Sequence, residues 1–290
     1  MTGSAALALV IAVLLAASCM HAARPPGPVP IVAPPAADSL TVALWRMDET
    51  GGSGVADSSR LGLDGTAGAE ARTDLGRFGR AREFSRSIDS FVFVPYQPAL
   101  DTPRGLTVEA WIFPVSLGSF EDTPLAARWT EQANDRSWIL SLVGLHLAPP
   151  ITSSQSPGFH EDLVQNAEPG HLMFALQPEV ASQPLAYSSA TEIPLQRWTH
   201  VAVTFDGQVV RFFIDGRLDS QYALAARIRS SPAPLLLGNY FDPLLLTRFG
   251  GRLRVRDGAD QTPYYAYQGA IDELRISSAA REGFPVTTGR

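Results

Sequence analysis

The sequence predicts an all-β protein, an antiparallel sandwich or barrel, and three observations carry that prediction. Short runs of Val, Ile, Leu, Phe and Trp recur between residues 40 and 280, each bounded by Gly, Pro, Asp or Ser. None of these runs sustains the 3.6-residue apolar period of an amphipathic helix. Asp-Gly pairs at 206–207 and 215–216 cut one Val- and Phe-rich stretch into ribbons of hairpin length.

Composition bounds what such a chain can do. With 290 residues, 45% hydrophobic and 18% charged, it holds enough apolar side chain to bury a core. The formal net charge is -6, and all 23 basic residues are Arg. A protein that wraps a polyanion carries a basic surplus, so nucleic acid is not an expected partner. The all-Arg usage reads as genome composition rather than chemistry.

The N-terminus opens on an uncharged apolar run from Ala5 to Ser18 that ends in small residues, the form of an export signal over residues 1–18. "LLAASC" resembles a bacterial lipobox, in which Cys19 becomes the lipidated first residue of the mature chain and a membrane anchor. Cys19 is the only cysteine, so no disulfide framework is expected. No Lys or Arg precedes the run, and Ala16 stands where a lipobox usually has Leu. A cleaved signal without lipid, or an uncleaved anchor, therefore stays open. Residues 19–39, rich in Pro and Ala, read as a polyproline II tether. The folded domain is expected over 40–280, with 281–290 as a tail.

Within the domain, strands are expected at 40–47, 90–94, 106–113, 136–143, 171–176, 199–205, 208–214, 233–238 and 269–277. Asp206-Gly207 and Asp215-Gly216 are expected as type I′ turns, since Asp-Gly supplies the positive φ angles such turns require. They join a three-strand meander. Alternation puts Val201, Val203 and Phe205 on one buried face of its first strand, with Arg211 of the next strand toward solvent.

The run "RWTHVAVTFDGQVVRFFIDGRL" resembles the Trp-containing double hairpin of laminin G-like and pentraxin-like domains. "ALWRMDETGGSGVADSSRLGLDGT", "FGRAREFSRSIDSFVFVP", "LTVEAWIFP" and "GAIDELRIS" match other segments of these domains in the same order. The chain thus resembles the concanavalin A-like lectin/glucanase fold over nearly all of residues 40–280. The resemblance implies a jelly-roll sandwich of two curved antiparallel sheets with the first and last strands side by side. Because that fold hosts lectins, enzymes and adhesive modules, it leaves function open.

The loop "ADSSRLGLDG" (56–65) packs Asp57, Ser58, Ser59 and Asp64 among glycines, the oxygen-rich loop a hard cation prefers. The resemblance implies a structural Ca²⁺ between such an early loop and an Asp of the last strand, with Asp57 and Asp272 as the candidate ligands. Equally open is an Asx-turn at Asp57 with Asp272 paired to an Arg. The spacing fits no EF-hand. His146, His160, His171 and His200 lack zinc-ligand spacing, and His200, two residues after Trp198, reads as a partly buried core residue.

Glucanases of the resembling fold draw two carboxylates from a Glu-x-Asp-x-x-Glu string on one strand, and none is present. Glu109 stands alone in "TVEAW". Asp272 and Glu273 are adjacent and are expected on opposite faces. "GGSG" at 51–54 lies in a turn with no helix after it, so it is no nucleophile elbow. Phosphate-binding and dinucleotide fingerprints are missing too. The expectation is a chain that is not an enzyme.

Two long inserts remain, 144–170 and 239–268, and long loops on a rigid sandwich are where recognition tends to sit. The second carries Tyr240, Phe241, Tyr264, Tyr265 and Tyr267, rings that either stack on sugars or cover the core. It also carries "RLRVRD", which places Arg252, Arg254 and Arg256 on one strand face. That row either grips an anionic glycan or is a solvated face paired with Asp242, Asp257 or Asp260. The expected function is a non-catalytic surface module that binds carbohydrate or a protein partner at the bacterial envelope. A structural or adhesive envelope subunit and a glycoside hydrolase are the alternatives.

Overall fold

The computed structural model describes residues 33–119, 121–130, 134–145, 168–256 and 265–284. The apolar N-terminal run with Cys19, most of the first insert, His146, His160, Asp257, Asp260 and Tyr264 lie outside them. Eighteen strands are found among the described residues. The first nine are β1 (Thr41–Trp45), β2 (Gly54–Val55), β3 (Gly65–Ala67), β4 (Arg72–Leu75), β5 (Arg80–Phe84), β6 (Val92–Val94), β7 (Leu106–Ser116), β8 (Thr123–Thr130) and β9 (Asp135–Leu142). The others are β10 (His171–Leu176), β11 (Leu185–Glu192), β12 (Thr199–Phe205), β13 (Val209–Ile214), β14 (Arg217–Ala223), β15 (Leu235–Leu237), β16 (Leu246–Phe249), β17 (Arg252–Val255) and β18 (Gln268–Ser277).

They form two large antiparallel sheets. The first runs β14-β13-β12-β7-β18-β5-β4, with β1 also on β18, and the second runs β11-β10-β9-β8-β15-β6-β3-β2. First and last strands pair, Trp45 opposite Leu274, as the resemblance implies. Alternate residues of both sheets meet in one core: Val201, Val203 and Phe205 of β12 and Val108 and Ile112 of β7 pack with Trp138, Leu140 and Phe174 of the second sheet. The fold is therefore the all-β sandwich that the sequence predicts.

All nine expected strands are present. Less legible was β8, "TPLAARWT", whose Pro and Ala are poor strand signals but which is buried along its whole length. Its Arg128 donates from Nη1 to Leu100 O and from Nη2 to Asp101 Oδ1 and Ser231 O, so both terminal nitrogens of this buried charged side chain are paired. One turn differs from expectation. Asp215 and Gly216 both have positive φ, 49° and 76°, as type I′ requires, whereas at the first pair only Gly207 does. There the connection is longer, and Asp206 Oδ1 instead accepts from the Gln208 and Val209 amides.

The outer face of the first sheet is a buried polar layer. Glu109 accepts from Arg275 Nε on Oε1 at 2.7 Å, and its Oε2 lies 3.2 Å from His200 Nε2. Burial pushes the Glu109 carboxyl up, yet His200 and Arg275 together hold it below the ordinary glutamate value. His200 thus sits in this layer and not between the sheets. The layer is roofed by the chain ends: Arg275 Nη1 donates to Ala36 O, Arg46 Nη2 to Pro35 O, and Arg281 pairs with Asp38. Phe284 packs its ring 4.8 Å from that of Phe213 and 5.6 Å from His200.

Asp272 and Glu273 do not follow the simple alternation expected of neighbours. Glu273 has φ 49° at a bulge in β18. Asp272 faces Trp111 and accepts the Phe78 amide on Oδ2 at 2.8 Å, while Glu273 pairs with Arg46. Asp272 Oδ1 has no hydrogen-bond partner among the described residues. Burial, aided by the Glu273 charge, pushes the Asp272 carboxyl from 3.8 to about 7. A carboxyl with a raised folded-state pKa stabilises fully below its unfolded value and loses that contribution as pH rises through the folded one. In EDTA, stability should therefore fall from pH 5 to pH 8, with Asp272 supplying about 2–3 kcal/mol of the loss. Urea melts of Asp272→Asn should show that much less pH dependence, and an identical slope in variant and wild type would refute the assignment.

Candidate functional site

The second insert folds back onto the outer face of the second sheet. Leu253 and Val255 of β17 pack with Phe91, Leu236 and Phe241, while Tyr240 and Tyr265 cover Ala127, Trp129 and Ile139. Tyr240 and Tyr265 meet edge-on at 5.6 Å. Tyr267 is buried deeper, in the core between the sheets, 6.3 Å from Phe84. The solvent-facing tyrosine cluster is thus not what these three rings form, because each has apolar surface to cover that outweighs exposing its hydroxyl. Tyr264 lies outside the described residues.

Seating Leu253 and Val255 inward turns the alternate positions out. Phe249 and Arg252 are cross-strand partners in the β16–β17 hairpin and share its outer side. Gly250 and Gly251 close it with φ 58° and 77°, a two-residue turn that L side chains rarely accept. Of the expected Arg row, Arg254 is tied to Asp89 through Nε at 2.8 Å. Arg252 and Arg256 are exposed and form no ion pair among the described residues. The alternation was read correctly, but one guanidinium of the three is committed to the fold. Phe249, which the sequence reading passed over, is 73% exposed.

Arg252 lines a polar cleft of about 530 Å³ formed by the turn at 50–53, the connection at 67–73 and Arg82 of β5. Gly68 makes the close approach possible, since a Cβ there would lie 2.3 Å from Asp89 O and 2.7 Å from the Phe91 ring. It also bridges to Leu253 and so brings β17 to the cleft. Arg82 is 1% exposed. Its Nη2 donates to Glu49 Oε2 at 3.1 Å and to Gly54 O, while its buried Nε has no partner among the described residues. Burial lowers the Arg82 pKa and Glu49 opposes it, which leaves a guanidinium charged at any physiological pH. Arg72 on the rim is 3.6 Å from Glu70 and mostly in solvent.

A second cleft, of about 570 Å³, lies where residues 278–282 cross the first sheet beside Arg104, Arg211 and Phe213. Its Arg211 and Arg281 are already paired, with Asp206 and Asp38. Arg104 there forms no ion pair among the described residues, but only the cleft at Arg252 has an exposed aromatic ring beside its unpaired guanidinium.

Asp57 and Asp272 do not fit a shared calcium ion. Asp57 Oδ1 accepts from the Leu44 and Ser59 amides, and Oδ2 from Ser59 Oγ and the Leu63 amide. Four donors fill the lone pairs a cation would need. Asp57 is therefore the knot that ties the 56–65 loop to β1, and Asp272 instead serves the Phe78 amide. Among the described residues, no group of three or more His, Cys, Asp or Glu is placed to hold a metal ion.

Comparison with known proteins bears on this architecture. The Laminin_G_3 family model, described as concanavalin A-like lectin/glucanases superfamily, matches residues 87–283. No curated protein matches. Among solved structures, domain 4 of AbnA, a GH43 extracellular arabinanase from Geobacillus stearothermophilus solved with arabinotriose, is 21% identical with a TM-score of 0.52, over 83% of this chain and 94% of that one. The binding domain of Paraclostridial Mosquitocidal Protein 1 is 11% identical with a TM-score of 0.56, over 84% of this chain and 49% of that one. A botulinum neurotoxin type C structure, whose cell entry depends upon interaction with two ganglioside molecules, is 10% identical with a TM-score of 0.53, over 83% of this chain and 48% of that one. The chain thus spans about half the length of those toxin structures, and at these identities the likeness is one of fold. With the family match running through both large sheets, the chain belongs to the concanavalin A-like lectin/glucanases superfamily.

Proposed function

We propose that this protein is a non-catalytic carbohydrate-binding module and that the cleft at Arg252 is its binding site. The observation that carries the reading is the pairing of an open polar cleft with an exposed aromatic ring: Arg252 lines the one, and Phe249 stands opposite it in the hairpin. Sugars present apolar C–H faces to aromatic rings and hydroxyls to fixed donors, which is the chemistry these two residues offer together. Two of the similar folds point the same way, the arabinanase domain solved with arabinotriose and the type C toxin that depends on gangliosides. Against catalysis, Glu109 of the central strand is committed to Arg275 and His200 under the chain ends. A retaining glycosidase needs two reachable carboxylates roughly 5 Å apart.

The envelope setting rests on the sequence. An apolar run before "LLAASC" supports export and lipid attachment at Cys19, with the module held off the membrane by the Pro- and Ala-rich tether. Mass spectrometry of the membrane fraction should find an acylated Cys19 as the mature first residue. An unacylated terminus elsewhere would remove the anchor.

Glycan arrays and polysaccharide retention with purified protein should give binding without release of reducing ends. Phe249→Ala should weaken retention by about tenfold, the scale of one lost aromatic contact, and Thr50→Trp, which fills the cleft from an exposed position, should abolish it. Both should melt with wild type, as exposed substitutions do. A blank array, or retention indifferent to both variants, would defeat the reading, and sugar-polymer hydrolysis would defeat its non-catalytic half.

For calcium, the filled coordination of Asp57 supports a role in loop architecture. Melting temperature should be the same in excess EDTA and in millimolar CaCl₂. A calcium-dependent rise that Asp57→Asn removed would return Asp57 to the metal.

A further inference from the structure

Resting on the carbohydrate reading, we propose that the cleft selects acidic sugars, holding a carboxylate against the guanidinium groups of Arg82 and Arg252 while Phe249 packs on the adjoining ring. Three features of the cleft support this. The first is its charge. Arg72, Arg82 and Arg252 line it; Glu70 lies 3.6 Å from Arg72 and Glu49 pairs with Arg82, so the charge of Arg252 is unopposed among the described residues, in a chain whose net charge is -6. A local cationic site on an acidic protein draws in small anions and leaves neutral sugars without that gain.

The second feature is Arg82 itself. It lines the cleft although only 1% exposed, and its Nη2 is held by Glu49 and Gly54 O; its buried Nε has no partner among the described residues, as is also true of Arg128. Glu49 fixes one side of the guanidinium plane, since its Oε1 also accepts the Ala56 amide at 2.8 Å. The fork is thereby held in orientation by the fold. With Nη2 committed to Glu49 and Gly54 O, what Arg82 brings to the cleft is a fixed positive charge rather than a bidentate fork, and an acid group gains more from that charge than a hydroxyl does.

The third feature is Arg252, which is exposed and makes no ion pair among the described residues, while Arg254 two positions on is locked to Asp89. Cross-strand pairing puts Phe249 beside it. One side of the hairpin tip therefore presents a free cation and a free aromatic ring together, next to the buried fork. A uronate or a sialate carries the matching parts, an acid group and an apolar ring face, on a single residue.

The test titrates full-length purified protein with oligogalacturonate, hyaluronan fragments and sialyllactose, each beside its carboxyl-reduced counterpart. At least one acid should bind about tenfold or more tightly than its neutral partner, the scale of one charge-assisted contact. Raising NaCl from 50 to 300 mM should weaken the acid and spare the neutral form. Arg252→Gln, at an exposed position, should bring the acid to the neutral level. Arg82→Lys should lower the acid preference while keeping a positive charge for Glu49, and its melting curve reports whether the fold is retained. Equal affinity for acid and neutral forms, or an acid preference that Arg252→Gln leaves intact, would overturn the selectivity and leave the carbohydrate reading standing. Failure of every sugar here and on the array would overturn both.

Discussion

The seating of the β16–β17 hairpin decides what this protein presents to solvent. Leu253 and Val255 lie against Phe91, Leu236 and Phe241 on the outer face of the second sheet, and burying two such aliphatic side chains stabilises the seat by about 3–6 kcal/mol. A strand has only two sides. Once Leu253 and Val255 point in, Arg252 and Arg254 must point out, and the register then carries Phe249 out with Arg252. A slip of one residue would bury Arg252 and expose Leu253 and Val255. The cleft, its free guanidinium and its aromatic neighbour follow from an apolar contact that touches none of them.

The same covering explains which parts of the molecule were legible in the sequence. Strands that are a continuous apolar run, such as 171–176, or rich in β-branched residues, such as 199–205, announce themselves. β8 does not, because Pro124, Ala126 and Ala127 carry little strand preference and Arg128 reads as a surface residue, although the strand is buried along its whole length. The tyrosines were ambiguous for a related reason. A Tyr in a long insert reads equally as a ligand platform or as a lid, and only the location of uncovered apolar surface decides between them. Ala127, Trp129 and Ile139 supply that surface, and no pattern within residues 239–268 refers to it.

Signals for the cleft were present but divided among distant segments. "TRFGGRLRV" contains two glycines between alternating runs, the mark of a type I′ hairpin, which alone would have placed Phe249 opposite Arg252. In "RAREF" the alternation puts Arg82 on the side of Phe84, whose ring is buried. An Arg in step with a core Phe is a local conflict, and such conflicts mark either a buried ion pair or a site. Arg82 has the ion pair, with Glu49, and donors left over. What the sequence could not supply is that residues 50–53, 67–73, 82 and 252 converge, since their contact depends on sheet order and on the room that Gly68 leaves.

The all-Arg composition also gains physical content. Arg128 bridges two carbonyls and a carboxylate, Arg275 a carboxylate and Ala36 O, and Arg46 a carboxylate and Pro35 O. Each joins segments far apart in the chain through a planar group with donors aimed in several directions, which one compact ammonium does poorly. These three side chains spend their terminal nitrogens on the fold, although Arg128 Nε finds no partner among the described residues. Arg82 is built on the same plan, held by Glu49 and Gly54 O, and it also lines the cleft, beside the unpaired Arg252. Its place at the cleft, rather than its count of free donors, is what sets it apart from Arg128.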